Sequence, residues 1–273
     1  MADDERLASL SPENQVLARR MLEFIGRMDD KYFGRAKKLN GELKFEDLAQ
    51  ATETDDYDVR VTRGPVVEKL GRMTASGKKT PPGRVQKELA WGRFYSLDFH
   101  PRTPLVGMLH AVTVLQIYTD GTGFAGGWLG VMNGTRVEAD MAQLKGITEG
   151  YFKSHGKDPT LYRKLIMKGT DDTVGKWRRK PDDSGVSFYG PPVDPDLTKA
   201  WEFVSGLFDP FVDGYVDLIA RHAKDRGTEQ DIRAQDEMRK RWLNDQLFSD
   251  PFSSKLVPYE VWSLSNVPPV IKY

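Results

Sequence analysis

The sequence predicts an α+β protein in which a broad antiparallel β-sheet is flanked by helices on both faces. Three observations carry that expectation. Apolar residues recur at helical spacing through the first forty residues, short alternating runs fill residues 57–130, and helical spacing returns from residue 138 with only brief strand-like words in between. Strands gathered in one block, with helices before and after it, fit an antiparallel sheet covered by helices rather than the regular alternation of a parallel sheet.

In the stretch SPENQVLARRMLEFIGRMDDKYFGRAKKLNG, Ser11 suits a helix N-cap and Pro12 the first helical position. Leu17, Met21, Phe24, Ile25, Met28 and Tyr32 then follow helical steps, which predicts an amphipathic helix reaching Asn40-Gly41. The words YDVRVTRG, VVEKLGRMTAS and GRFYSLDFH are short β-rich runs broken by glycine and by GKKTPPG, and read as antiparallel strands. Residues 109–130, LHAVTVLQIYTDGTGFAGGWLG, read as two more strands joined at Asp120-Gly121, the turn chemistry a hairpin needs.

Helical spacing through Met141, Leu144, Ile147 and Tyr151 predicts a helix over 138–155 with Gly156 as its stop, and a short helix is predicted over 161–168. GTDDTVGKWRRKPDDSG reads as a charged surface loop before a short strand, VSFYG. After PPVDPD, the residues Trp201, Val204, Phe208, Phe211, Tyr215, Leu218, Ile219 and His222 mark the longest amphipathic helix, in which Pro210 predicts a kink or a junction. TEQDIRAQDEMRKRWLNDQLF is a further helix, highly charged outside Ile232, Met238 and Trp242, and VPYEVWSLSN reads as a last strand.

A length of 273 residues suits one domain, with residues 1–12 expected to form a flexible tail. Hydrophobic residues make up 39% and aromatics 11% of the chain, enough to build a sizeable core. Forty basic residues balance forty acidic ones and are interspersed with them, so no field for gripping nucleic acid is expected. The absence of cysteine excludes disulfides, thiolate metal sites and a cysteine nucleophile. The polar N-terminus has no signal-peptide pattern and no run of apolar residues is long enough to span a bilayer, so a cytoplasmic protein with no membrane partner is expected.

Standard motifs are few. Gly121, Gly123, Gly126 and Gly127 lie close together but lack the lysine and spacing of a phosphate-binding loop, and no GxSxG is present. The four histidines, His100, His110, His155 and His222, make no metal-ligand spacing with another residue, so no metal is expected. The run at 177–180, Trp-Arg-Arg-Lys, suits an acidic substrate or an ordinary surface loop. His155 and His222 fall toward helix ends, where the helix dipole favours a cationic ring, and His100 before Pro101 reads as a strand-terminal residue. His110 lies in an apolar run, where it is either an acid–base group in a pocket or a buried core histidine.

The words EKLGRMTAS, HPRTP, LHAVTV and FAGGWLGVM, taken in order, resemble the oxygen-dependent coproporphyrinogen III oxidase family, and LYRKL, VSFYG, the AWEFVSGLFDPFVDGYVDLIARH helix and SLSNVPPVIKY follow the same order over residues 21–273. The resemblance implies a broad antiparallel sheet with helices on both faces, a homodimer, and oxidative chemistry that uses molecular oxygen without metal or organic cofactor. In that alignment His110 keeps the family's histidine. Val112 and Val114 replace an asparagine and an arginine, Leu129 replaces an aspartate, Tyr189-Gly190-Pro191 replaces an acidic pair, and Arg178 or Arg179 preserves a loop cation.

Because strand side chains alternate, His110, Val112, Val114, Gln116 and Tyr118 share one face, which the resemblance makes the active-site face. The expected site has His110 as base, with Val112, Val114, Gln116, Trp128, Leu129, Met132, His100, Arg178 and Arg179 against the substrate. So apolar a lining suits a hydrophobic or aromatic small molecule. The function expected is a cofactor-independent oxidase or oxygenase, in a setting such as natural-product biosynthesis. The alternatives are a non-catalytic binding protein on the same fold and a true coproporphyrinogen III oxidase with a rearranged site.

Overall fold

Ser11 caps the first helix as its chemistry predicts, its hydroxyl accepting from the Asn14 N–H at 3.3 Å, and Pro12 opens α1 (Pro12–Asn40). Gly41, at φ +87°, closes it with its N–H on the Lys37 carbonyl. The computed structural model describes residues 5–80, 87–164, 167–168, 178–179, 182–243 and 257–273. Within residues 1–12, expected as a tail, Glu5–Ser9 form a 3-10 turn and Leu10 is buried against the core. An apolar side chain followed by a helix cap ties that stretch down.

Six strands follow one another in space as they do in sequence: β1 (Phe45–Ala51), β2 (Asp55–Thr62), β3 (Val67–Gly77), β4 (Leu89–Pro101), β5 (Met108–Tyr118) and β6 (Gly123–Met132). A short β9 (Val186–Ser187) pairs beside β6, making a seven-stranded sheet in which every pairing is antiparallel. Strand β1 has no apolar alternation to announce it. It is an exposed edge held by β2, with Arg60 on both carboxylate oxygens of Asp47 (2.8 and 3.1 Å) and Arg63 on Glu46 (2.7 Å). Charged side chains on such an edge discourage pairing with another chain.

Helices α2 (Glu138–Ser154), α3 (Thr160–Lys164), α4 (Leu197–Arg221), α5 (Glu229–Trp242) and α6 (Tyr259–Ser265) complete the fold, and β7 (Met167–Lys168) pairs with β8 (Arg178–Arg179) in a separate ribbon. Three expectations are corrected. The short helix, α3, does not reach Lys168, because Met167–Lys168 pair as a strand with Arg178–Arg179. Pro210 is not a junction: α4 is one helix through it, with Phe208, Phe211 and Val212 beside it all buried, so packing holds both halves together despite the lost backbone hydrogen bond. The stretch read as a last strand is α6: Val261, Trp262 and Ser265, at i, i+1 and i+4, are the buried residues, a helical period that the apolar composition disguised.

The two faces of the sheet have different covers. One carries Leu97, Phe99, Leu109, Ala111, Leu115 and Leu129 against α1, α2 and α4, and this is the main core. Its aromatic side chains meet edge-on, as Phe24 does with Tyr95 (6.0 Å), Trp201 (5.5 Å) and Phe208 (5.4 Å). The other face carries Tyr57, Val59, Met73, Asp98, His110 and Val112 and is covered by α5 and α6. No helix among the described residues is long and apolar enough to cross a membrane.

Gly71 permits the close approach of α6. A Cβ built there falls 1.9 Å from the Ser265 carbonyl oxygen, so the end of the helix rests on bare strand backbone. Gly71→Ala is expected to lower stability by about 1–3 kcal/mol by forcing α6 off the sheet. Urea unfolding followed by tryptophan fluorescence checks it, and an unchanged midpoint refutes it.

Candidate functional site

Strand register builds the centre of the site. Asp98 on β4 and His110 on β5 are direct cross-strand partners, and His110 Nδ1 lies 2.8 Å from Asp98 Oδ1. Asp98 is fully buried and His110 almost so. A carboxylate can only accept, so this contact assigns the Nδ1 proton to the ring and leaves Nε2 as the lone-pair nitrogen. Asn266, just past α6, donates its side-chain N–H to the other oxygen, Asp98 Oδ2.

Two indoles enclose the imidazole. Trp242, the last residue of α5, meets the His110 ring at 5.4 Å between centroids and 66° between planes, and Trp262 on α6 meets it at 6.5 Å and 79°. The Trp242 Nε1–H is used, donating to the Asn266 carbonyl at 3.0 Å. The Trp262 Nε1–H is buried and has no acceptor among the described residues. An unsatisfied buried donor beside this histidine is one that a ligand's acceptor atom would relieve.

Beside the dyad lies a buried cation. Lys69 on β3 pairs across with His100 on β4 and is 1% exposed, its Nζ donating to the carbonyls of Val267 (2.6 Å) and Ser263 (3.4 Å). Burial, with Arg63 adding to it and Asp98 and Glu46 opposing it, pulls the Lys69 ammonium down to about 7. His100 is fully buried, and among the described residues its ring nitrogens make no well-formed hydrogen bond, with the Asn266 backbone beside the ring. Burial and the positive charges of Lys69, Arg239 and Arg63 hold His100 well below the ordinary histidine range, in the neutral form.

The residues expected in the site separate into groups. Val112 and Trp128 pair across β5 and β6 on the His110 face, and Met132 joins Met108, Met238 and Trp242 next to the dyad. Val114 shares the face but lies four residues along β5, and Gln116 six, so that at about 3.3 Å per residue Gln116 is about 20 Å from His110. Leu129 is a correction. Its cross-strand partner is Ala111, and it faces the opposite side in the main core, because a one-residue step along a strand reverses the face. The β8 backbone carries Arg178 and Arg179, whose side chains lie outside the described residues, as does Trp177.

The remaining two histidines tie helix ends. His155 caps α2 with Nδ1 on the Tyr151 carbonyl at 2.8 Å, and His222 caps α4 between Asp140 (2.8 Å) and Asp225 (2.7 Å). Among the described residues no group of three or more His, Asp or Glu side chains converges as a metal site would require. The sequence reading missed Asp98, Asn266, Trp242 and Trp262 as site residues. Only Asp98 carried a signal, an acidic residue on the same face of SLDFH as the buried His100.

No family model and no curated protein sequence matches the chain. The resemblance to coproporphyrinogen III oxidases therefore rests on the quoted words and their order alone. Solved structures do match, among them phytochromobilin synthase from tomato in complex with biliverdin, with a TM-score of 0.53 at 10% identity over 88% of this chain and 81% of that one. At that identity the likeness is one of fold. The fold is thus one that a phytochromobilin synthase also uses.

Lys69 and His100 predict a pH dependence of stability. Both are held below their unfolded values, so the unfolded chain binds more protons and stability rises with pH across each window. For Lys69 the rise runs from about pH 7 to about pH 10, and for His100 stability falls as pH drops through about 6.5. Lys69→Met is expected to flatten the alkaline slope and His100→Gln the acid one, as read from urea midpoints across pH. Unchanged slopes in both variants would refute the assignment.

Proposed function

We propose that the protein is an enzyme acting on a hydrophobic, conjugated or aromatic small molecule, with His110 as its proton-transfer group. The observation that carries this reading is the Asp98–His110 pair enclosed by two indoles on the sheet face. A buried carboxylate on Nδ1 orients the ring, stabilises the imidazolium formed on proton uptake, and leaves Nε2 to act as base. The adjacent buried indoles are flat apolar rings against which a substrate ring system entering beside His110 would stack, and the Trp262 N–H, without an acceptor among the described residues, would donate to its carbonyl or ring acceptor. Biliverdin, bound by the structural neighbour, is a conjugated multi-ring molecule and exemplifies that class.

The reaction proposed is an oxidation by molecular oxygen. His110 Nε2 takes one proton from an acidic N–H, O–H or C–H of the substrate, and the resulting electron-rich anion gives its electrons to oxygen. In the oxidase form the substrate loses two electrons and two protons, and oxygen gains them as hydrogen peroxide, the His110 proton being returned to the reduced oxygen. The buried surroundings of His110 keep bulk water away from the reacting anion.

The test begins with mass spectrometry of small molecules that co-purify with the protein, and with absorption titration by biliverdin as a probe of the class. Oxygen uptake is then measured with the bound molecule supplied as substrate. His110→Ala is expected to lower turnover by a factor of about 100 or more while the bound spectrum persists. Trp262→Phe, which keeps the ring and removes the N–H, is expected to weaken binding by roughly three- to tenfold. Binding without oxygen uptake or product would replace the enzyme by a non-catalytic binding protein.

A further inference from the structure

We infer that Asn266 is a positioning residue for His110, completing an Asn266–Asp98–His110 relay in which the end of the chain sets the direction and tautomer of a histidine on a strand 156 positions earlier. The inference rests on the reading of His110 as the proton-transfer group. It goes beyond that reading by assigning to the C-terminal segment a part in the site.

Asp98 has two carboxylate oxygens and must use both, because it is fully buried on the sheet. Oδ1 receives the His110 Nδ1–H, and Oδ2 receives the Asn266 side-chain N–H. The acceptor-only carboxylate decides which way the Asn266 amide is turned: nitrogen to Asp98, oxygen to the Ser265 hydroxyl, which lies within reach of it and of the Val261 carbonyl at 2.8 Å. With one oxygen held by Asn266, the carboxyl group has no freedom to rotate, and the other oxygen stays in line with the imidazole.

Asn266 is itself fixed from four sides. Its backbone carbonyl accepts from Trp242 Nε1 at 3.0 Å, and its backbone N–H donates to the Trp262 carbonyl at 2.9 Å. Lys69 Nζ grips the carbonyls of Val267 and Ser263 on either side of it. Gly71, the cross-strand partner of Asp98, leaves the gap through which Ser265 reaches the strand. The two tryptophans that contact His110 are therefore also those that fix Asn266, so the aromatic walls and the relay form one unit.

The test needs no substrate, and so separates this inference from the catalytic reading. In the full chain labelled with 15N, the His110 Nδ1 proton is observed directly, assigned through His110→Gln, and its exchange with water is timed. The Trp242 Nε1–H signal reports whether residue 266 stays docked. Asn266→Leu is expected to speed Nδ1 proton exchange at least about tenfold, and to shift the ring nitrogens from the pure Nδ1–H form toward a mixture, with the Trp242 signal in place. Asn266→Ser, whose side chain is too short to hold Asp98 and which buries no added apolar group, is expected to do the same should the leucine variant fail to fold. Nδ1 exchange unchanged in a folded variant, or changed only together with loss of the Trp242 signal in both, would overturn the inference. A failure of the oxygen and binding assays leaves this result standing and overturns the catalytic reading instead.

Discussion

A carboxylate placed on the middle of a buried sheet face has to be hydrogen-bonded on both oxygens, and the arrangement of this protein around Asp98 follows from that constraint. Left in an apolar setting without partners, the charge would cost several kcal/mol or be neutralised. One partner, His110, comes from the next strand; the other, Asn266, comes from the far end of the chain. Binding the second partner requires the end of α6 to lie directly on the sheet, and Gly71 at the neighbouring strand position makes room for it. The docking of the last helix and the orientation of the histidine are thus two consequences of one buried charge.

The opposite face is mainly apolar, and of the charges it buries Arg72 is paired with Asp29 of α1 while Arg93 lies over the Trp91 ring. There Phe99, Leu109, Ala111, Leu115 and Leu129 meet α1, α2 and α4 in a continuous apolar core with edge-to-face aromatic contacts. Each large side chain buried there contributes about 1.5–3 kcal/mol to stability. The α5–α6 face instead mixes Trp242, Trp262 and Met73 with Lys69, Asp98, His100 and His110. Buried polar groups gather on this face, and among the described residues the His100 ring nitrogens and the Trp262 N–H lack well-formed hydrogen bonds.

Much of the fold was legible in local chemistry. Ser11 and Pro12 mark the start of α1, Asp120-Gly121 the hairpin, Gly156 the end of α2, and three- and four-residue steps trace α4. The misreadings have local causes. β1 is a charged edge whose burial is too slight to leave a pattern, and α6 is so rich in valine, tryptophan and tyrosine that its helical period was hidden by β-like composition. Leu129 was assigned to the site from a word in the family pattern, whereas strand alternation puts it with Ala111 on the other side.

By itself the sequence determined most of the element types, though not β1, β7 or α6, and the face of β5 that carries His110, because helical and strand periods are properties of neighbouring residues. It also singled out His110 as the unusual residue of an apolar strand. Only the tertiary structure decided what His110 does with its ring nitrogens. Its partners, Asp98, Trp242, Trp262 and Asn266, are separated from it by 12 to 156 positions and are brought to it by strand register and by the packing of α5 and α6. Contacts made across such distances depend on which face meets which in the folded chain, and a periodicity read along the chain carries no record of that choice.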